Sequence, residues 1–243
     1  MTAELGLAII ETPFRVFIGW DSREQDAYEV AAHSLQRHAS IPVIVTPIKQ
    51  EELRAQGLYR RDRDPLASTE FTYTRFFTPH LAGFEGYALF HDCDFLWTGD
   101  IAELLAIADP SKAVSCVQHD HRPPEELKME GAVQTRYPRK NWSSLMLFNC
   151  AHPATRRLDV AAVNEETGAY LHRMQWAADD EIGALPETWN WLEGWNKVAP
   201  GETPKVIHYT RGGPWFEQWR DVEFAELWRE ELARVNSGAG HPE

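Results

Sequence analysis

Cysteine is scarce in this 243-residue chain: Cys93, Cys116 and Cys150 are its three, and no two of them form a Cys-x-x-Cys pair. An odd number of widely spaced cysteines, each in or after an apolar stretch, excludes a disulfide framework and a zinc knuckle and implies reduced, mostly buried thiols. Basic residues are also few, 24 Lys and Arg against 37 Asp and Glu, for a formal net charge of −13. That balance excludes a general nucleic-acid binder, which needs a basic footprint. Long apolar runs are missing. The piece at residues 5–10 has no basic residues ahead of it and is too short for a signal core or a membrane span. The expectation is a soluble, cytoplasmic protein. No internal repeat or low-complexity linker divides the chain, so one domain over residues 1–243 is expected.

Tryptophan, in contrast, is abundant at ten residues. Indole is costly to leave in water, so these rings are expected to divide between core and a platform for a flat ligand such as a sugar face. The chain is organised around Phe90-His91-Asp92-Cys93-Asp94-Phe95. Tyr87-Ala88-Leu89-Phe90 is a short apolar run of β-formers, so the acidic pair sits where a buried strand leaves the core. On extended backbone, residues two apart point to one face, and two carboxylates aimed at one spot repel unless something positive lies between them. A hard divalent cation, Mg²⁺ or Mn²⁺, takes oxygen ligands and usually also holds substrate phosphates. With a net charge of −13, a phosphate-bearing substrate would require such an ion and a few arginines.

Residues 15–20 read as a first strand, with Asp21 or Ser22 capping a helix to about His38 whose inner face is Ala27, Val30, Ala31, Ser34 and Leu35. Residues 41–48 form a second strand. This β-α-β opening predicts an α/β fold with a mixed, mostly parallel sheet flanked by helices and a Rossmann-like nucleotide-binding half. Ligands bind beyond the carboxyl ends of such strands, where Trp20 and Asp21 stand. Residues 49–67 read as a charged surface loop, and Ser68 or Thr69 as the cap of an amphipathic helix carrying Arg75. Asp100 caps a helix to Ala108, and residues 112–118 form an apolar strand leading into His119-Asp120-His121, a cluster with nothing downstream to complete a metal site. Residues 120–141 read as a mobile loop, 142–149 as a strand, 160–174 as a helix, 205–210 as a strand bearing His208, and 222–235 as a last helix before a polar tail at 237–243.

An arginine on a helix, then a strand, then Asp-x-Asp is an order that resembles the family 8 glycosyltransferases, retaining enzymes with a GT-A fold. Asp179-Asp180-Glu181 stands in the place of that family's Asp-Gln-Asp-like triplet, and Leu185-Pro186 with Trp189-Asn190 in the place of its Leu-Pro and Trp-Asn element. His208 and Pro214-Trp215 match its closing His and Lys-Pro-Trp. The resemblance covers roughly residues 15–216. It implies a GT-A-like domain with a nucleotide-sugar half at about 14–119 and an acceptor-side half at about 120–236. The implied reaction moves a sugar from a nucleotide diphosphate donor, a UDP-hexose above all, to a hydroxyl of a glycan, lipid-linked or small-molecule acceptor. Retention at the anomeric carbon is implied, as is a place in surface-glycan or lipopolysaccharide synthesis.

In that scheme Asp92, Asp94 and His208 hold Mn²⁺ or Mg²⁺. Trp20, Asp21, Arg75, Cys93 and Arg211 join the two aspartates around the donor, and Arg75, Asp179 and Asp180 position its sugar without supplying a nucleophile. The chain departs from the family where Trp142 and Ser144 replace Asn and Gly, and where Arg211 replaces the diphosphate-binding lysine; a guanidinium also binds phosphate well. A non-catalytic nucleotide-sugar or carbohydrate-binding protein on the same fold is the rival reading. A sugar-1-phosphate nucleotidyltransferase needs a glycine-rich loop with a basic residue after the first strand, and Gly19-Trp20-Asp21-Ser22 is not that loop. Peripheral membrane association and oligomeric state stay open.

Overall fold

A computed structural model describes residues 12–62, 64, 67–120 and 139–238. The expectations for the start of the chain, for His121 and most of the 120–141 loop, and for the end of the tail fall outside these residues. Strand β1 (Phe14–Gly19) is buried on both faces, as a strand between two helical layers must be. It pairs in parallel with β2 (Val43–Ile48) on one side and β3 (Tyr87–His91) on the other. β6 (Leu145–Asn149) runs antiparallel between β3 and β5 (Val114–Val117), and β7 (Ile182–Leu185) closes the sheet parallel to β5. The order is β2-β1-β3-β6-β5-β7, in which β6 is the reversed strand. The mixed, mostly parallel sheet flanked by helices is therefore present. A smaller sheet of β4 (Phe95–Trp97), β9 (Val206–His208) and β8 (Trp191–Leu192) stands at its edge.

Helix α1 (Gln25–His38) presents the five inward residues expected of it, but neither Asp21 nor Ser22 caps it. Glu24 occupies the N-cap without a side-chain cap, while the Asp21 carboxylate accepts from the Arg23 amide in its own loop and from the Glu70 amide. The charged stretch after β2 is not irregular throughout, because Gln50–Ala55 forms α2, anchored by the buried Leu53. Gln-Glu-Glu-Leu-Arg-Ala is a good helix-forming series in a segment too short to show a period. Arg75 lies on a 3₁₀ turn, Thr74–Phe77, that continues as α3 (Thr78–Leu81). Asp100 does cap α4 (Ile101–Ala106), accepting from the Ala102 amide.

The strand expected from residue 142 starts at Leu145. Asn141 has φ +64° and begins a 3₁₀ turn, Trp142–Ser144, closed by the Ser144 hydroxyl on the Asn141 carbonyl. The helix expected over 160–174 is two, α5 (Val160–Glu165) and α6 (Gly168–His172), because Thr167 opens a new cap by accepting from the Tyr170 amide. The last helix, α7 (Ala225–Ser237), starts three residues later than expected. No helix among the described residues is long and apolar enough to cross a membrane.

The larger core holds Phe17, Phe71, Phe76, Phe90, Phe95, Trp97, Phe148 and Trp176, and a second cluster joins Val30, Leu96, Trp191, Ile207, Tyr209 and Trp228. Each such side chain stabilises by about 1.5–3 kcal/mol on burial. Because Leu96 packs in one cluster while Phe95 and Trp97 pack in the other, β4 is held on both faces and cannot slip.

Candidate metal centre

Asp92 and Asp94 occupy the bend between β3 and β4, where the chain passes from the large sheet to the small one. Both are tied by backbone to other strands. The Asp92 amide donates to the Ser144 carbonyl at 2.9 Å, just before β6, and the Asp94 carbonyl accepts from the Tyr209 amide at 2.9 Å, just after β9. The register of β4 on β9 sets Phe95 opposite His208, and the imidazole stacks on the Phe95 ring at 4.4 Å and 21°. Ligand atoms of Asp92, Asp94 and His208 come within 4.8 Å of one another. His208 is 2% exposed, with Nε2 3.3 Å from Asp94 Oδ2 and Nδ1 2.9 Å from Asn190 Oδ1.

Arg75 approaches from the 3₁₀ turn before α3. Its Nη1 donates to Asp92 Oδ1 at 2.7 Å and to the Ser143 carbonyl at 2.8 Å, and the guanidinium lies 5.2 Å from both the Phe71 and Phe90 rings. A buried cation fixed by a carboxylate and flanked by aromatic faces holds the Asp92 side chain in place beside the cluster. The Phe71 ring sits directly over Gly19, where a Cβ would meet it at 2.4 Å. The glycine that ends β1 thus admits the ring that packs on Arg75.

Trp20 and Asp21 lie at the carboxyl end of β1. Lys49 Nζ stands 5.3 Å from the Trp20 ring. Asp21 is fully buried; burial alone would raise its carboxyl, but hydrogen bonds from the Arg23 guanidinium and amide and from the Glu70 amide hold it below the usual range. Glu24, which the sequence did not single out, lies beneath the cluster, 3% exposed, with Oε2 accepting from the Cys93 thiol at 3.5 Å. Burial first, then the Asp94 and Asp21 charges, push its carboxyl up to about 8. Cys93 is fully buried and its thiol is pushed up by burial, and Cys116 and Cys150 are likewise buried and free. His91, on β3, gives Nδ1 to the Asp92 carbonyl and is driven down to about 4 by burial, so it is neutral near pH 7. His172, bonded to the Ser143 hydroxyl at 2.8 Å, is pushed down to about 3 by burial and by Arg75.

Asp179 and Asp180 lie on a separate segment. Asp179–Glu181 is a 3₁₀ turn that runs directly into β7, which is parallel to β5 and, across β6, to β3. The turn therefore enters the sheet at the amino end of β7, opposite the end at which Asp92 leaves β3. Asp179 pairs with Arg139 at 2.5 Å, and Asp180 is exposed. Arg211 follows β9, with Nη2 2.8 Å from the buried Glu193 and its guanidinium 4.8 Å from the Trp219 ring.

Two carboxylates and one imidazole offer hard oxygen and borderline nitrogen donors. The 3.3 Å between His208 Nε2 and Asp94 Oδ2 is near the roughly 3 Å that separates adjacent ligands on an ion with bonds of about 2.1 Å. The set fits a divalent cation such as Mn²⁺ or Mg²⁺.

The chain is 55% identical over 227 residues to Protein CDI of Arabidopsis thaliana, a match covering 92% of this chain and 88% of that protein. No protein-family model matches. Among solved structures, the glycosyltransferase GlyE of Streptococcus pneumoniae TIGR4 superposes with a TM-score of 0.60 at 18% identity, over 96% of this chain and 65% of GlyE. The bifunctional glycosyltransferase WbbM gives 0.59 at 18%, over 93% of this chain and 50% of WbbM. The galactosyltransferase LgtC, in complex with donor and acceptor sugar analogues, gives 0.57 at 12%, over 95% and 97%. This chain thus spans under two thirds of GlyE, half of WbbM and nearly all of LgtC. At such identities the likeness is one of fold, and the fold is GT-A.

Proposed function

The chain belongs to the Protein CDI family, and from its GT-A fold and the cluster at the β3–β4 bend we infer that it is a metal-dependent glycosyltransferase. The carrying observation is the convergence of Asp92, Asp94 and His208, residues 116 positions apart in sequence at the extremes, at the carboxyl edge of the sheet. The donor is a nucleotide diphosphate sugar, UDP-linked, and the sugar passes to an acceptor hydroxyl with retention, as the resemblance to family 8 implies. Asp92, Asp94 and His208 hold Mn²⁺ or Mg²⁺, which neutralises charge on the departing diphosphate when bound.

The protein's own groups do the rest. Arg75 fixes the Asp92 carboxylate and excludes water behind it. Trp20 faces the nucleotide at the end of β1, in the half of the chain at about 14–119, and the buried Asp21 beside it holds that loop through Arg23 and the Glu70 amide. Arg211 exchanges Glu193 for the diphosphate when the donor binds, a swap between two anionic partners that leaves its charge compensated throughout. The donor's own leaving phosphate assists attack on the same face, so no side-chain nucleophile is required.

The test is UDP release from a panel of UDP-sugars with Mn²⁺ and with EDTA. Release with Mn²⁺ that disappears in EDTA and in Asp94→Asn supports the reading. Equal release in EDTA removes the metal from it. Tight UDP-sugar binding with no release from any donor, with or without acceptors, makes the protein a nucleotide-sugar binder.

A further inference from the structure

Behind His208 runs a chain of three hydrogen bonds whose donors and acceptors are fully determined. The Asn141 carbonyl can only accept. The Ser144 hydroxyl lies 2.6 Å from it and so spends its single proton there. The same Ser144 oxygen is 2.9 Å from the side-chain amide of Asn190 and, with its proton committed, can only accept. The Asn190 group facing it is therefore the NH₂. The Asn190 carbonyl then faces His208 Nδ1 at 2.9 Å, and that nitrogen must carry the proton. In a neutral imidazole protonated at Nδ1, Nε2 holds a lone pair, here directed to the Asp94 side at 3.3 Å. Two acceptors facing each other at that distance are satisfied by a cation.

All three relay side chains are closed to solvent: Asn190 is 0% exposed, His208 2% and Ser144 3%. Phe95, stacked on the ring, blocks a flip. The Ser144 carbonyl also accepts the Asp92 amide, so one residue holds the backbone of one carboxylate and, through Asn190, the proton on the imidazole. A glycine at 144 would keep the first bond and lose the second.

We infer that Asn190, locked by Ser144 on the Asn141 carbonyl, is a positioning residue that fixes His208 as its Nδ1–H tautomer and so presents Nε2 to the cation. The proposal rests on the metal reading above. It is separable from that reading because the tautomer is observable in metal-free protein. Without the lock, the Nε2–H form, which free imidazole side chains favour, donates to Asp94 and competes with the ion.

The experiment is a long-range ¹H–¹⁵N correlation spectrum of the histidine rings in the metal-free full chain at about pH 8, where unperturbed imidazole is neutral. The His208 signals are assigned by their loss in His208→Asn. The same proteins are titrated with Mn²⁺. The expected result is a pyrrole-type Nδ1 and a pyridine-type Nε2 in the wild type, and appearance of the Nε2–H pattern in Asn190→Leu and Ser144→Ala. Mn²⁺ affinity should fall about 10- to 100-fold in Asn190→Leu, the usual effect of losing a group that orients a metal-bound histidine. Asn190→Asp, which keeps an oxygen opposite Nδ1, should retain the wild-type pattern. A wild-type His208 protonated at Nε2, or a pattern unchanged in both Asn190→Leu and Ser144→Ala, overturns the relay, and wild-type Mn²⁺ binding in that case leaves the metal reading standing. A correct tautomer in a wild-type protein that binds no Mn²⁺, with or without UDP, overturns the metal reading and the purpose of the relay with it.

Discussion

Charge placement at single residues decides how a chain of net charge −13 handles a diphosphate. Arg75 already donates to Asp92 and the Ser143 carbonyl, and so shapes the edge of the candidate site. Arg211 differs: its partner Glu193 lies on the strand-end segment beside β9, and Gly194, at φ +76°, lets the guanidinium approach so closely that a Cβ there would meet Nη2 at 2.1 Å. That packing holds Arg211 within reach of the edge where His208 emerges. If it engages the leaving diphosphate, Arg211→Ala loses a charge-assisted contact made mainly in the transition state, about 2–4 kcal/mol or roughly 30- to 1000-fold in turnover. UDP binding should weaken much less. Steady-state rates and calorimetric UDP affinity check this, and turnover within about threefold of the wild type would leave Arg211 as a structural partner of Glu193.

Between elements, α1 and α7 meet through one buried carboxylate. Glu231, 1% exposed, accepts from Arg37 at 2.8 Å, His33 at 2.6 Å and Arg234 at 3.1 Å. Burial alone would raise the Glu231 carboxyl, but the Arg37 and His33 hydrogen bonds outweigh it and hold it below 4.5. A lowered folded value means stability that is present above the unfolded value and lost as pH falls through the folded one. Glu231→Gln should therefore destabilise by about 1–3 kcal/mol near neutrality, and the gap from wild type should close as the pH drops below about 4.5. Urea unfolding at neutral and acid pH measures both, and a gap that stays constant across that range would show that these contacts do not hold the charge.

How far the elements were legible depends on how local their cause is. Continuous apolar runs marked β1, β3, β5 and β6, and the inward face of α1 was readable position by position. The break at Thr167, the 3₁₀ turn at Trp142–Ser144 and the charged helix α2 were not, since each turns on a cap or a short propensity run without a period. At the site, Asp92, Asp94 and His208 carry their chemistry in their residue types. Glu24 and the orienting contact of Asn190 arise from the packing of segments distant in sequence, which no spacing displays. The Asp179-Asp180-Glu181 triplet shows the converse case. Its composition was visible, but the edge it occupies is set by the direct entry of the turn into β7.

On the scale of the whole molecule, the two sheets are joined at the β3–β4 bend, and the candidate site is the joint. β3 belongs to the large sheet and β4 to the small one, so Asp92 is aligned by β6 through Ser144 while Asp94 is aligned by β9 through Tyr209. His208 completes the cluster because β9 pairs with β4. The packing of the two sheets thereby brings three candidate ligands from distant positions together at one bend. The most direct measurement is anomalous diffraction from crystals of the wild-type protein grown with Mn²⁺ and UDP. The expected result is one anomalous peak within about 2.0–2.6 Å of Asp92, Asp94 and His208, with the diphosphate of UDP completing its coordination. A map with UDP bound and no peak at the three residues, or with the ion held elsewhere, would contradict the assignment.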